Sequence, residues 1–196
     1  MREFNHNKVH SATQVLLDEG LGLDLRDPNF TDTPARVARS YAEIFGGLYD
    51  TEKKLKEIFR ASFPSTYTGM VIVNNIKCYS MCPHHLLPVA YQVSAGYIAN
   101  KKMLGLSKIP RVVELLARKP ELQETFTQNI CDTLNKYLKP AGIMVIVWGE
   151  HYCMKMRGAK QADANMITSS ISGKFEHPEV RAEFLSLIKT KQAEIQ

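Results

Sequence analysis

The sequence has no long apolar run. No stretch approaches the roughly 20 apolar residues that a membrane-spanning helix needs. The N-terminus, MREFNHNKVH, also lacks the apolar segment of a signal peptide. We therefore predict a cytoplasmic protein that does not bind membranes.

Blocks of charge of one sign are also missing. Lysine and arginine number 25 against 20 aspartates and glutamates, a net charge of 25 − 20 = +5. No five like charges are consecutive, and no basic stripe alternates with aromatic residues, which argues against a nucleic-acid partner. The mild basic excess leaves a small phosphorylated ligand open.

Cysteine is scarce, with four residues in a chain of 196. In a cytosolic chain of this size, such cysteines favour metal binding or catalysis over disulfides. Cys78 lies in a strand pattern and Cys131 in a helical pattern, and both are interpreted as small buried apolar residues. Cys82 and Cys153 differ because each has histidine nearby.

Apolar periodicity predicts one domain preceded by helices. The order after the helical N-terminus is strand, strand, helix, helix, strand, strand and a closing helix, over residues 69–79, 89–99, 107–118, 121–138, 142–154, 165–175 and 180–189. This order predicts an α+β fold, with helices on one face of an antiparallel sheet. We assign residues 1–66 to an N-terminal helical arm and residues 67–196 to the domain.

Two groups of cysteine and histidine carry the chemistry. In the stretch SMCPHHLLPV, Cys82 precedes His84 and His85, between two predicted strands. In EHYCM, a continuous strand would project His151 and Cys153 from one face. Thiolate and imidazole together suit zinc, and five candidates exceed what either a structural or a catalytic zinc site uses. The surplus predicts three ligands plus histidines that carry protons, without deciding between His84 and His85.

Basic residues flank these groups. Ser107 and Lys108 stand at a predicted helix N-terminus, where free N–H groups favour an anion, and Arg111 follows one turn later. Arg157 comes just after the His151–Cys153 segment. Together they predict a substrate that carries phosphate.

The sequence resembles the GTP cyclohydrolase I family, type IA. The similarity rests on the stretches DTPARVARSY, YSMCPHHLLPV, LGLSKIPRVVELLARKPELQE, EHYCMKMRG and TSSISGKF, and it spans roughly residues 24–188. The resemblance implies the tunnelling fold, in which two antiparallel strand pairs flank a pair of helices. It also implies a toroidal homo-oligomer, commonly a decamer, with active sites between subunits.

The resemblance also implies a role for each matching residue. The family's Zn²⁺ ligands fall at the positions of Cys82, His85 and Cys153. Its two catalytic histidines fall at His84 and His151. Guanine recognition corresponds to Gln123 and Glu124. Triphosphate contacts correspond to Arg36, Arg39, Ser107, Lys108, Arg111 and Arg157, with Arg39 standing where the family usually has lysine.

The activity implied is hydrolysis of GTP. Zinc activates water for attack on C8 of the guanine, formate leaves, and ring closure gives 7,8-dihydroneopterin triphosphate, the first product of pterin and folate biosynthesis. Pro83 stands where the family usually has glutamate. Two alternatives therefore stay open: a divergent cyclohydrolase that makes another product from GTP or a related purine nucleotide, and a non-catalytic homologue that binds GTP or a pterin.

Overall fold

The computed structural model describes residues 3–189. The elements run in the order α1 (His6–Val15), α2 (Thr33–Ile44), α3 (Thr51–Phe59), β1 (Ser62–Pro64), β2 (Met70–Met81), β3 (Pro88–Ile98), β4 (Lys102–Leu104), α4 (Lys108–Ala117), α5 (Gln123–Leu138), β5 (Gly142–His151), α6 (Tyr152–Lys155), β6 (Met166–Gly173) and α7 (Pro178–Lys189). A π-helical turn, Leu16–Gly20, extends α1. Within the described residues, no helix is long and apolar enough to cross a membrane, and the cytoplasmic location stays a prediction.

The predicted α+β class and its antiparallel sheet are confirmed. The strands β2, β3, β5 and β6 form one sheet in that order, and every neighbouring pair is antiparallel. The short strands β1 and β4 form a separate antiparallel pair. The sequence analysis missed this pair because three residues are too few to show an alternating pattern.

The chain divides into two compact units between Asp50 and Thr51. In the first unit, α1 packs against α2. The predicted arm extended to residue 66, whereas α3 and β1 lie in the second unit. Leu55 and Phe59 of α3 explain this placement, because both are buried in the same core as the sheet.

Both faces of the sheet are covered at β5. Val145 and Val147 point into the core shared with α3, α4 and α5. Met144 and Ile146 alternate with these valines along the strand, so they point to the opposite face and pack in a second cluster with α7. The closing helix therefore lies on the face opposite to α3, α4 and α5, which the predicted arrangement with helices on one face did not include.

Candidate metal centre

The turn between β2 and β3 presents the first cysteine and both neighbouring histidines. Leu86 N–H donates to Cys82 O, and Cys82 N–H donates to Leu87 O, each at 2.9 Å. Pro83 is the first residue inside this turn, and its fixed φ suits the bend. Its missing N–H has no effect on these two hydrogen bonds, because the N–H groups of Leu86 and Cys82 make them. Cys82 is buried, while His84 and His85 are exposed.

The second cysteine does not lie on a strand, and here the sequence analysis was wrong. β5 ends at His151, and α6 begins at Tyr152. Met156 N–H donates to Tyr152 O at 3.0 Å, a helical hydrogen bond that turns the chain out of the strand. Cys153 therefore reaches the site from a helical turn, and it does not share a strand face with His151.

Three side chains still meet as a possible metal-binding group. Ligand atoms of Cys82, His85 and Cys153 all lie within 4.8 Å of one another. His85 Nδ1 is 3.7 Å from Cys82 Sγ. Two sulfurs and one imidazole nitrogen fit zinc, and three protein ligands leave a fourth tetrahedral position for water or substrate.

The environment of Cys153 favours the neutral thiol. Burial raises the pKa of Cys153, and a hydrogen bond with Cys82 raises it further, while the charge of Arg157 acts in the opposite direction. A metal ion binds the thiolate, so metal binding at this cluster releases a proton.

Arg157 contacts the imidazole of this cluster directly. Its Nη1 lies 2.8 Å from His85 Nε2. Arginine has five donors and no acceptor, so Nε2 is the acceptor in this pair. The guanidinium thus stands beside the cluster, on a side chain that is otherwise exposed.

His151 occupies the last position of β5, opposite Val89 of β3. Its Nε2 lies 2.8 Å from Gln123 Oε1. Desolvation lowers the pKa of His151, and the nearby charge of Glu124 partly opposes that shift. Desolvation thus favours the neutral form of the imidazole.

Gln123 is placed differently from the recognition role that the resemblance implied. It is 1% exposed, and its amide is hydrogen-bonded within the chain. Glu124, by contrast, is exposed in the first turn of α5. The Glu124 carboxylate is thus exposed, whereas the Gln123 side chain is buried and hydrogen-bonded within the chain, and a contact of either with guanine stays a prediction.

The predicted phosphate-binding residues lie in three places, namely beside His85 (Arg157), at the start of α4 and on α2. Ser107 is the N-cap of α4 but makes no side-chain cap hydrogen bond, and Lys108 and Arg111 lie in the first turn. Arg36 and Arg39 lie on α2 in the first unit, both exposed, with Arg36 3.4 Å from Asp32. Their contact with a triphosphate stays a prediction.

Two further residues shape the site, and the sequence analysis did not select them. Tyr91 stacks on Phe126 at 4.8 Å between ring centroids and meets the ring of His151 edge-on at 6.1 Å. Gly149 lies opposite Tyr91, and a Cβ there would overlap Gln123 Oε1. A glycine inside a strand is a sequence signal for such a close approach.

Comparison with known proteins gives concordant matches. The family model for GTP cyclohydrolase I matches residues 9–189. The chain is 41% identical over 191 residues to GTP cyclohydrolase 1 of Geobacillus sp. (strain WCH70), covering 96% of this chain and 100% of that protein. It is 42% identical over 189 residues to GTP cyclohydrolase 1 of Pelotomaculum thermopropionicum, covering 95% and 98% respectively.

Proposed function

The chain belongs to the GTP cyclohydrolase I family, and on that basis we propose that it opens the guanine ring of GTP with the help of zinc, releases formate and forms 7,8-dihydroneopterin triphosphate. The observation that carries this proposal is the approach of Cys82, His85 and Cys153 to within 4.8 Å of one another. When bound there, zinc supplies a Lewis acid that lowers the pKa of water to about 7.

His84 and His151 are the proposed proton carriers. His84 stands in the turn that also holds Cys82 and His85, with its Nδ1 3.9 Å from Cys82 Sγ. His151 is held at the end of β5 and is kept neutral by desolvation. Two imidazoles at different positions can deliver and remove protons at different atoms of the substrate.

Glu124 is the proposed reader of the guanine. Its carboxylate accepts hydrogen bonds and is exposed, so it can pair with the N–H groups of the base. Gln123, which precedes it, starts the same helix with a buried side chain.

The triphosphate is proposed to bind Lys108, Arg111 and Arg157, together with the Ser107 hydroxyl. Support comes from the start of α4, where Ser107, Lys108 and Arg111 bring a hydroxyl and two cations to a helix N-terminus. Arg157 gives a planar guanidinium beside His85, at 2.8 Å. We propose Arg36 and Arg39 as triphosphate contacts on the resemblance alone, and both are exposed on α2.

Self-association into a toroid, with a decamer as the expected size, belongs to the same proposal. The strands β2 and β6 lie at the two edges of the sheet. An edge strand has unpaired backbone groups that can pair with another chain, so both edges can join neighbouring copies.

Product analysis tests this function. Zinc-loaded protein is incubated with GTP, and both formate and the neopterin chromophore are followed. Equal amounts of both support the proposal. Formate or a formamidopyrimidine without neopterin would instead identify the divergent cyclohydrolase, and tight GTP binding without turnover would identify a non-catalytic homologue.

A further inference from the structure

Gln123 is the feature of the site that the proposed function leaves unexplained. Its Nε2 donates to Val147 O at 3.1 Å and to Met166 O at 3.0 Å. Both partners are backbone carbonyls and can only accept, so they fix which end of the amide carries nitrogen. Gln123 Oε1 therefore faces His151 Nε2, at 2.8 Å.

This orientation decides where His151 carries its proton. An amide oxygen has no hydrogen to give, so the bond at 2.8 Å requires His151 Nε2 to be the donor. We infer that Gln123 is a positioning residue that fixes the orientation of the His151 ring and holds it as the Nε2–H tautomer, with Nδ1 as the unprotonated nitrogen. The inference rests on the proposed role of His151 as a proton carrier.

The surrounding residues brace the Gln123 side chain. Thr127 Oγ1 donates to Gln123 O at 2.7 Å, so its 2.6 Å contact with Thr168 uses the Thr168 hydroxyl as donor. Thr168 Oγ1 lies 3.1 Å from Gln123 Nε2, so the two hydrogens of that nitrogen are shared among three acceptors. Gly149 supplies the space, because a Cβ at that position would overlap Gln123 Oε1.

The tautomer can be measured directly. Magic-angle-spinning ¹⁵N spectra of the zinc-loaded, full-length protein are recorded with labelled histidine, and the His151 signals are identified by their loss in His151→Gln. We expect a protonated Nε2 and an unprotonated Nδ1 for neutral His151. A protonated Nδ1 with an unprotonated Nε2 overturns the inference, whatever the enzyme does with GTP.

Steady-state kinetics separates positioning from base recognition. Gln123→Met should lower kcat about 10- to 100-fold, as loss of a supporting hydrogen bond does, and leave the KM for GTP within about threefold. Gln123→Glu should recover part of kcat and keep the Nε2–H tautomer, because a carboxyl oxygen can accept the same hydrogen bond. A raised KM with an unchanged kcat would mean that Gln123 contacts guanine, which overturns the inference.

Gln128→Met is the matched control. Gln128 lies on the same helix and also bonds β6, accepting from Ser170 at 3.0 Å, but its side chain hydrogen-bonds no histidine within residues 3–189. Its variant should keep kcat. If Gln123→Met does not fold, the wild-type spectrum still decides the question. If wild-type protein does not turn over GTP, the proposed function fails, whereas the tautomer measurement stands by itself.

Discussion

Arg157 donates from Nη1 to His85 Nε2 at 2.8 Å. This contact joins a residue that is proposed to bind the triphosphate to a residue of the candidate metal centre. In the neutral imidazole the proton is then on Nδ1, 3.7 Å from Cys82 Sγ. A metal ion held through Nδ1 would require the neutral ring to carry its proton on Nε2, and a metal ion held through Nε2 would occupy the lone pair of that nitrogen. In either case Nε2 no longer accepts from arginine.

We therefore expect zinc binding to release Arg157 from His85. In a crystal structure of the zinc-loaded protein, the Nη1–Nε2 distance should exceed 3.5 Å, the limit of a hydrogen bond. The guanidinium would then be free for the triphosphate. A loaded structure that keeps the 2.8 Å contact would contradict this linkage.

Substitutions at the cluster should separate metal binding from proton transfer. Cys153→Ser removes one of two sulfur ligands, so zinc content and turnover should both fall to background. His84→Ala should keep zinc at the wild-type level and lower kcat about 10²- to 10⁴-fold, the usual contribution of an acid–base group.

Zinc content by mass spectrometry and formate release are the two readouts for these variants. Cys131→Ala is the control cysteine, because Cys131 is buried on α5 outside the metal-binding group. It should keep one zinc per chain. Loss of zinc from His84→Ala would show that the roles of His84 and His85 are reversed.

The affinity for zinc should rise with pH. Burial raises the pKa of Cys153, so the thiol is protonated at neutral pH and must lose its proton when zinc binds. Each released proton makes the apparent affinity about tenfold stronger per pH unit. Competition against a chelator between pH 6.5 and 8.5 measures the slope, and an affinity independent of pH would show that no thiol loses a proton.

Two glycines of the sheet provide a matched pair of substitutions. Gly149→Ala places a Cβ against Gln123 Oε1, so it should lower kcat by disturbing the hydrogen bond with His151. Gly96→Ala places a Cβ against the ring of Phe184, which is buried in the cluster under α7.

Gly96→Ala should therefore lower the free energy of unfolding by about 1–3 kcal/mol, the usual cost of overpacking, and leave kcat of the folded protein unchanged. Urea denaturation and initial rates on both variants test the pair. Equal losses of kcat in the two would show that Gly149 has no special relation to the site.

Pro83 should act through stability more than through metal binding. It lies exposed in the turn that Cys82 and Leu86 close, with no N–H needed there. Pro83→Ala frees the unfolded chain, which should lower the free energy of unfolding by about 0.4–1 kcal/mol. Zinc content should not change. A Pro83→Ala protein without zinc would mean that the fixed turn is essential for ligand placement.

The sequence predicted the strands and helices of the sheet domain because apolar residues recur at regular spacing over long segments. It failed where the signal is local or short. Cys153 continues the pattern of β5 in sequence, yet the chain turns into the short helix α6 directly after His151. The burial of Gln123 depends on Gly149 and Met166, which are distant in sequence and meet only in the folded sheet.

The sequence also contains a signal that both faces of β5 are covered, which the prediction of helices on one face overlooked. Five consecutive apolar residues, Ile143 to Val147, lie in β5, and all are buried. A strand with only one covered face would alternate with polar residues. The uninterrupted run thus indicates cover on both faces, which α7 provides for Met144 and Ile146.

Zinc titration tests the central claim most directly. Metal-stripped protein receives increasing Zn²⁺ in the presence of GTP, and formate and 7,8-dihydroneopterin triphosphate are quantified. Both should rise in parallel and reach a plateau at one zinc per chain, and Cys153→Ser should give neither product at any zinc level. Full product formation by the stripped protein, or by Cys153→Ser, would contradict the assignment of Cys82, His85 and Cys153 as the catalytic metal site.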